Sequence, residues 1–336
     1  MITVTSYPIA VVMCIVTMIC WGSWGNTQKL ASKSWKFQLF YWDYTIGILL
    51  FSLLMAFTMG SFGDGGRSFL ADLSQADSQW LMSALIGGII FNLSNILLVI
   101  AIDIAGLAVA FPVGIGLALV LGVITTYAAK PDGNPVMLGL GVALICVAIV
   151  VDALAFKRLG GKGATVKGIA VSALAGLLMG FFYSFVAEAM GNIDMSTGKA
   201  VLESGKLSPY TAMVVFAAGI LVSNFVFNTL AMKFPVDGGK SVSYASYFTD
   251  GNAKLHFVGI LGGSIWCLGT SLSFISANAA GAALAYGLGQ GATMISAFWG
   301  VFIWREFKDA PKGTNTLLAL MFVFFLAGLS ILVASK

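Results

Sequence analysis

A chain of 336 residues that is 59% hydrophobic and 10% charged, with a mean hydropathy of +0.94, carries more apolar surface than a water-exposed domain tolerates. The composition therefore indicates a polytopic helical membrane protein. The net charge of +4 says little as a total; the four cysteines (Cys14, Cys20, Cys146, Cys267) fall inside apolar runs and read as small buried hydrophobes, and a single histidine, His256, removes the usual metal and acid–base clusters.

A transmembrane helix needs roughly 20 apolar residues, and that length predicts ten spans. The first, Pro8 to Gln28, lacks the basic leader of a signal peptide and reads as a retained helix carrying Trp21, Ser23, Trp24, Asn26 and Gln28. The second, Gln38 to Gly60, holds Asp43 among Tyr41, Trp42 and Tyr44. That carboxylate reads either as a structural clamp to Lys29 or Lys36, or as a protonatable coupling residue. The third span, Gln79 to Ile102, holds Asn92, Ser94 and Asn95, and the fourth, Ile104 to Tyr127, follows with almost no link, which predicts a tight hairpin. The fifth runs from Asn134 to Phe156; Asp152 near its end, like Asp103, reads as an ordinary solvated or capping carboxylate. The sixth, Val166 to Met190, contains Glu188 with no basic neighbour in sequence, a proton carrier if buried and otherwise a side chain snorkelling to the outer interface. The seventh, Ser208 to Met232, carries Asn224 and Asn228. The eighth, Lys254 to Ala277, holds Trp266, Thr270 and Ser273; the ninth, Ala279 to Trp304, holds Tyr286, Gln290 and Thr293 and forms a second hairpin with it; the tenth is Thr314 to Ser335.

The two hairpins are the same sequence twice. Gly87-Gly88, Leu93, Leu97, Ala105-Gly106, Ala108, Ala110, Gly114 and Gly116 recur as Gly262-Gly263, Leu268, Leu272, Ala280-Gly281, Ala283, Ala285, Gly289 and Gly291, at a constant offset of 175 residues. Non-identical partners stay similar, such as Phe91 with Trp266 and Phe111 with Tyr286. A duplicated unit with an odd number of spans inserts its second copy upside down, the architecture of many secondary transporters, with the solute site where the repeats meet near mid-membrane. The expected domains are two inverted five-helix repeats, residues 1–160 and 161–336. Thirteen Lys and Arg fall on one predicted face (Lys29, Lys33, Lys36, Lys157, Arg158, Lys162, Lys167, Lys233, Lys240, Lys254, Arg305, Lys308, Lys312) and five on the other (Arg67, Lys130, Lys199, Lys206, Lys336). The first face is expected to be cytoplasmic, with both termini outside.

Membrane-embedded polar side chains need a partner or a wet cavity. The set Trp21, Trp24, Asn26, Asn92, Asn95, Trp266, Thr270, Tyr286 and Gln290 is expected to surround the solute, since amides, hydroxyls and indoles suit a neutral, flat, hydrogen-bonding molecule better than an ion. Glycines four apart, such as Gly176 and Gly180, read mainly as close helix packing. Gly114-x-Gly116, behind Pro112, and Gly287-x-Gly289-x-Gly291 mark weakened helix, open either to packing or to a ligand. Gly238-Gly239-Lys240-Ser241 is not a nucleotide-binding loop, because Phe234 stands where the first glycine belongs, and no nucleophile elbow or paired catalytic carboxylates point to an enzyme.

The chain resembles the ureide permeases of the drug/metabolite transporter superfamily along nearly its whole length. The likeness is carried by Gly22-Ser23-Trp24, Asp43, Gly87-Gly88 with Asn95, Gly106-Leu107, Tyr210-Thr211-Ala212, Asn228, Pro235, Ala279-Ala280-Gly281, Phe298-Trp299-Gly300 and Glu306. Bacterial glucose and rhamnose uptake proteins look more distantly similar, chiefly in the second hairpin. The family implies ten helices and proton-coupled import of allantoin, uracil and related oxo-heterocycles. The centre of the chain, Lys157 to Thr165, is short beside the long cytoplasmic loop of plant members and points to a bacterial inner-membrane form.

The expectation is an all-α membrane protein of the drug/metabolite transporter fold, importing a small neutral polar solute, with a ureide or nucleobase favoured. Coupling would run on a proton gradient, or sodium, through Asp43 first and Glu188 second, with no cofactor, metal or nucleic acid involved. A sugar or nucleoside importer, a drug or metabolite exporter, and a non-transporting receptor or scaffold are the rivals.

Overall fold

The computed structural model describes all residues except 32–34, 161–164, 195–199 and 236–239, and the side chains of 107 and 108. Lys33, Lys162 and Lys199, counted above for orientation, and Gly238-Gly239 lie outside the described residues.

Helices α1 (Tyr7–Ser23) and α2 (Gly25–Ala31) form one crossing with a break at Trp24. They are followed by α3 (Phe37–Phe57), the short α4 (Phe69–Gln75), α5 (Ser78–Ala105), α6 (Leu107–Ala110), α7 (Gly116–Ala129), α8 (Pro135–Lys157) and α9 (Val166–Ala189). After a small antiparallel hairpin, β1 (Ile193–Asp194) with β2 (Val201–Leu202), come α10 (Pro209–Lys233), α11 (Tyr244–Thr249), α12 (Ala253–Ala280), α13 (Ala282–Gly289), α14 (Ala292–Phe298) and α15 (Thr314–Val333). Among the described residues nine helical segments are long and apolar enough to cross a membrane. This is a helical, multi-pass architecture.

The predicted ninth span is not one continuous helix. It divides into α13 and α14 at Gln290-Gly291 and ends in a π-helical turn, Trp299–Ile303. Its glycines explain the break: a Cβ on Gly289 would stand 2.6 Å from the Trp21 ring, and one on Gly291 2.4 Å from the Met18 sulfur. Close approach to α1 demands glycine there, and clustered glycine weakens a helix. The predicted fourth span starts in the same manner, with a π-helical turn at Phe111–Ile115 that contains Pro112, whose missing N–H disrupts the α-helical ladder.

The two long helices of the repeat, α5 and α12, each have 28 residues, and both their ends obey the 175-residue offset. Each ends at a glycine with positive φ, Gly106 at 76° and Gly281 at 92°, which turns the chain into the next helix. In this conformation glycine is required. The tightest crossings are also glycine crossings: a Cβ on Gly88 would sit 2.1 Å from the Phe216 carbonyl oxygen, and one on Gly263 1.9 Å from that of Tyr44. Hence α5 packs on α10 and α12 on α3, while α5 also packs on α9, α12 on α1, α7 on α9, and α8 on α15.

The bundle has two distinct ends. At one, the Met1 amine donates to the Gly65 carbonyl at 2.7 Å, Gly66 N–H to Ala200, Asp77 N–H to Gly205, and Asn134 N–H to Ser335. At the other, Lys29 pairs with Glu306, Lys36 donates to the Lys240 carbonyl, and Arg158 donates to that of Lys312. These contacts draw Lys29, Lys36, Lys240, Arg158 and Lys312, all expected on the basic face, against neighbouring segments.

Candidate functional site

A cavity of about 260 Å³ lies in the middle of the bundle, where α1, α5, α9, α12 and the broken α13–α14 segment meet. Its floor is aromatic. Phe91 and Trp266 touch with ring centroids 4.4 Å apart, and Phe182 and Phe216 back them. These two touching residues are partners under the sequence repeat. No charged side chain among the described residues lines this cavity.

Of the nine residues expected at the site, Trp21, Trp24, Asn95, Trp266 and Gln290 line the cavity. Asn95 donates through Nδ2 to the Tyr41 hydroxyl at 3.1 Å, so its amide oxygen is the group left for the cavity. Gln290 sits in the break between α13 and α14, 9% exposed, with neither end of its amide bonded to another described residue. Together they present amide edges beside indole faces.

The other four stand elsewhere. Thr270 is behind the wall, accepting the Trp21 indole N–H at 2.9 Å and so fixing that ring. Asn92 accepts from the Tyr41 hydroxyl at 3.0 Å and donates to Ser223 at 2.9 Å, so it acts on Asn95 through Tyr41. Tyr286 is fully buried and donates to the Ala118 carbonyl at 3.0 Å; it holds α13 against α7. Asn26 faces an adjoining cavity, where its Oδ1 accepts the Trp304 indole N–H at 2.6 Å. Gln28 and Thr293, noted as polar side chains within spans but outside the expected set, also line the central cavity, while sequence reasoning missed Ser296 and the rings of Phe111, Phe91 and Phe182. The repeat already paired Phe91 with Trp266, and that pairing was the available signal.

The adjoining cavity, about 220 Å³, shares Gly22, Gly25, Phe111 and Ser296 with the central one and leads to the basic end. Lys29, Glu306, Trp299 and Trp304 line it with Asp152. Lys29 also lies over the Trp304 ring at 4.3 Å. Asp152 is not the solvated carboxylate expected near a helix end: it is 2% exposed, and its Oδ1 accepts no hydrogen bond from the described residues. The end of α8 is covered by neighbouring segments, which local sequence does not reveal.

Asp43 pairs with neither Lys29 nor Lys36. It is 1% exposed and held by side chains distant in sequence: His256 Nδ1 lies 2.9 and 3.1 Å from its two oxygens, Trp35 Nε1 donates at 3.3 Å, and the Tyr247 hydroxyl donates to Oδ1. Burial first, then the hydrogen bond to Asp43 and its charge, push the Tyr247 phenol well above its ordinary pKa, so it stays a donor. Gly259 makes room for this cluster, since a Cβ there would stand 2.4 Å from that of Asp43. Glu188 is exposed on α9. Neither carboxylate lines either cavity.

Comparison with known proteins gives concordant results. The family model described as Ureide permease matches residues 40–159 and 155–335. Ureide permease 1 of Arabidopsis thaliana is 25% identical over 381 residues, covering 97% of each chain, and ureide permease 2 of the same plant is 23% identical with the same coverage. A probable ureide permease A3 of Vigna unguiculata is 22% identical over 361 residues, covering 87% of this chain. A crystal structure of a protein 15% identical in sequence superposes with a TM-score of 0.57 over 97% of this chain and 96% of its own, which shows a shared fold.

Proposed function

The chain belongs to the ureide permease family, and we propose that it carries a ureide or a nucleobase inward across the membrane, driven by protons. It is a multi-pass membrane transporter and not an enzyme. The observation that carries the solute class is the central cavity itself: indole faces, amide edges and no charge among the described lining residues. Such a lining leaves an ion without a counter-charge, whereas a planar oxo-heterocycle stacks on the rings and exchanges hydrogen bonds at its edge. In this reading Trp24 and Trp266 stack on the solute, Asn95 and Gln290 read its polar edge, and Trp21, Asn92, Thr270 and Tyr286 hold the walls. Asn26 meets the solute on its way in or out.

The architecture in this proposal is ten crossings in two inverted repeats, residues 1–160 and 161–336, with the α13–α14 segment as the ninth crossing. Its support is an exchange pattern in the packing: α5 on α10 matches α12 on α3, α5 on α9 matches α12 on α1, and α7 on α9 matches α13 and α14 on α1. Contact between Phe91 and Trp266 fits a two-fold axis running between the halves. Basic residues favour the cytoplasmic side of a membrane, so the end bearing Lys29 and Glu306 faces the cytoplasm, both termini face outward, and the cavity is open inward. The short central connection supports a bacterial inner-membrane setting.

The test is a thermal-shift series on the purified protein with allantoin, uracil, nucleosides and hexoses, because a ligand that binds the native state raises its apparent stability. Stabilisation by allantoin or uracil alone supports the reading, and stabilisation by hexoses alone replaces it with a sugar carrier.

A further inference from the structure

We infer that Asp152 is the residue that binds the coupling proton, in the cavity that adjoins the solute cavity at the basic end; this rests on the proton-driven reading above. Asp152 combines burial, a carboxylate oxygen without a hydrogen-bond donor among the described residues, and a wall position in a cavity of about 220 Å³. An ionised carboxylate with one oxygen so placed lacks a partner of the kind buried charges require. The charged groups facing the same cavity are Lys29 and Glu306, and these pair with each other at its half-exposed mouth. Among the described residues, the elements packed most extensively on α8 add little: α15, α6 and the Phe111–Ile115 turn carry no titratable side chain, α7 carries only Tyr127, and α8 itself adds Cys146 and the terminal Lys157. A proton arriving from water at the mouth gives Asp152 a neutral acid whose O–H becomes a donor toward the cavity. No bond to the solute is made or broken, and the proton leaves as it came when the opposite access state exposes the site.

Location supplies the coupling. The Asp152 cavity and the solute cavity share Gly22, Gly25, Phe111 and Ser296, so both sites open to the same compartment together. A symporter requires that arrangement, because proton and solute must be loaded on one side and released on the other. Asp43, already held by three donors and lining neither cavity, lacks it.

Proteoliposomes loaded with the wild-type protein, Asp152→Asn, Asp152→Glu or Asp43→Asn, and given labelled allantoin under an imposed pH gradient or sodium gradient, test this. Wild type is expected to concentrate allantoin with the pH gradient alone. Asp152→Asn is expected to lose concentration against the gradient yet still exchange labelled for unlabelled allantoin, with Asp152→Glu recovering part of the accumulation. Asp152→Asn that accumulates like wild type overturns the inference while leaving proton-driven transport standing. So does loss of exchange together with accumulation when Asp152→Glu recovers neither, or loss of accumulation in Asp43→Asn alone. Accumulation driven by sodium, or none by wild type under either gradient, overturns the proton-driven reading and this inference with it.

Discussion

Two buried carboxylates stand at the same end of the bundle, and their surroundings are opposite. Asp43 is closed in by Trp35, His256 and Tyr247, three donors brought from α11, α12 and the segment before α3. Asp152 has an oxygen with no hydrogen-bond donor among the described residues and stands in the wall of a cavity. Burial alone therefore does not distinguish a structural anion from a group available to a mobile ion; the donor set does. The first arrangement fastens elements together, and the second leaves chemistry open.

The comparison breaks most visibly in stability. Asp43→Ala removes an anion and leaves three buried or half-buried donors unanswered, so a loss of about 3 kcal/mol is expected, read as a lower thermal midpoint. Asp152→Asn is expected to leave that midpoint unchanged or raised, and equal losses in the two variants would erase the distinction.

Next in size is Tyr247→Phe. It removes one charge-assisted hydrogen bond, about 2 kcal/mol, and is expected to speed hydrogen exchange across α11 while leaving α8 unaffected. The phenol's raised pKa carries a sign as well. Its protonated donor is fully available below the ordinary phenol value of about 10 and is lost only as pH rises through the higher native value. Protection of α11 is thus expected to persist through neutral pH and to fail at strongly alkaline pH; failure near neutrality would assign the fastening to another contact.

Smaller effects belong to the solute site. Asn95→Ala and Gln290→Ala are each expected to weaken allantoin binding by about tenfold, or about 1.4 kcal/mol, in calorimetry, with thermal midpoints close to wild type. Unchanged affinity in both would move the site. Smallest is Lys29→Ala at the half-exposed mouth, where an ion pair contributes no more than about 1 kcal/mol to stability. A loss comparable to that of Asp43→Ala would mean the mouth, and not the Asp43 cluster, fastens that end.

Much of this contrast was hidden in the sequence, for a definite reason. Apolar run length and the repeat made α5 and α12 legible, because the same residues recur at a fixed offset, whereas the positive φ at which Gly106 and Gly281 end them emerges only in the fold. The glycine run at Gly287 to Gly291 announced a weakened helix, and the break at Gln290 followed. Trp24, Asn95, Trp266 and Gln290 were legible as cavity residues because polar and indole groups within apolar spans need a wet neighbour. Asn92 and Tyr286 have the same composition signal but spend it on Tyr41, Ser223 and the Ala118 carbonyl, partners far away in the chain. The partners of Asp43 lie more than 200 residues away in two cases, so nearby Lys29 and Lys36 looked more plausible than they were. The covering of Asp152 depends likewise on segments that only the fold brings together.

An experimental structure with allantoin bound tests the central claim most directly. The account predicts the ring of the solute against the Trp24 and Trp266 indoles, with its polar edge within hydrogen-bond distance of Asn95 and Gln290. Allantoin seated instead beside Asp152, with the central cavity vacant, would contradict it.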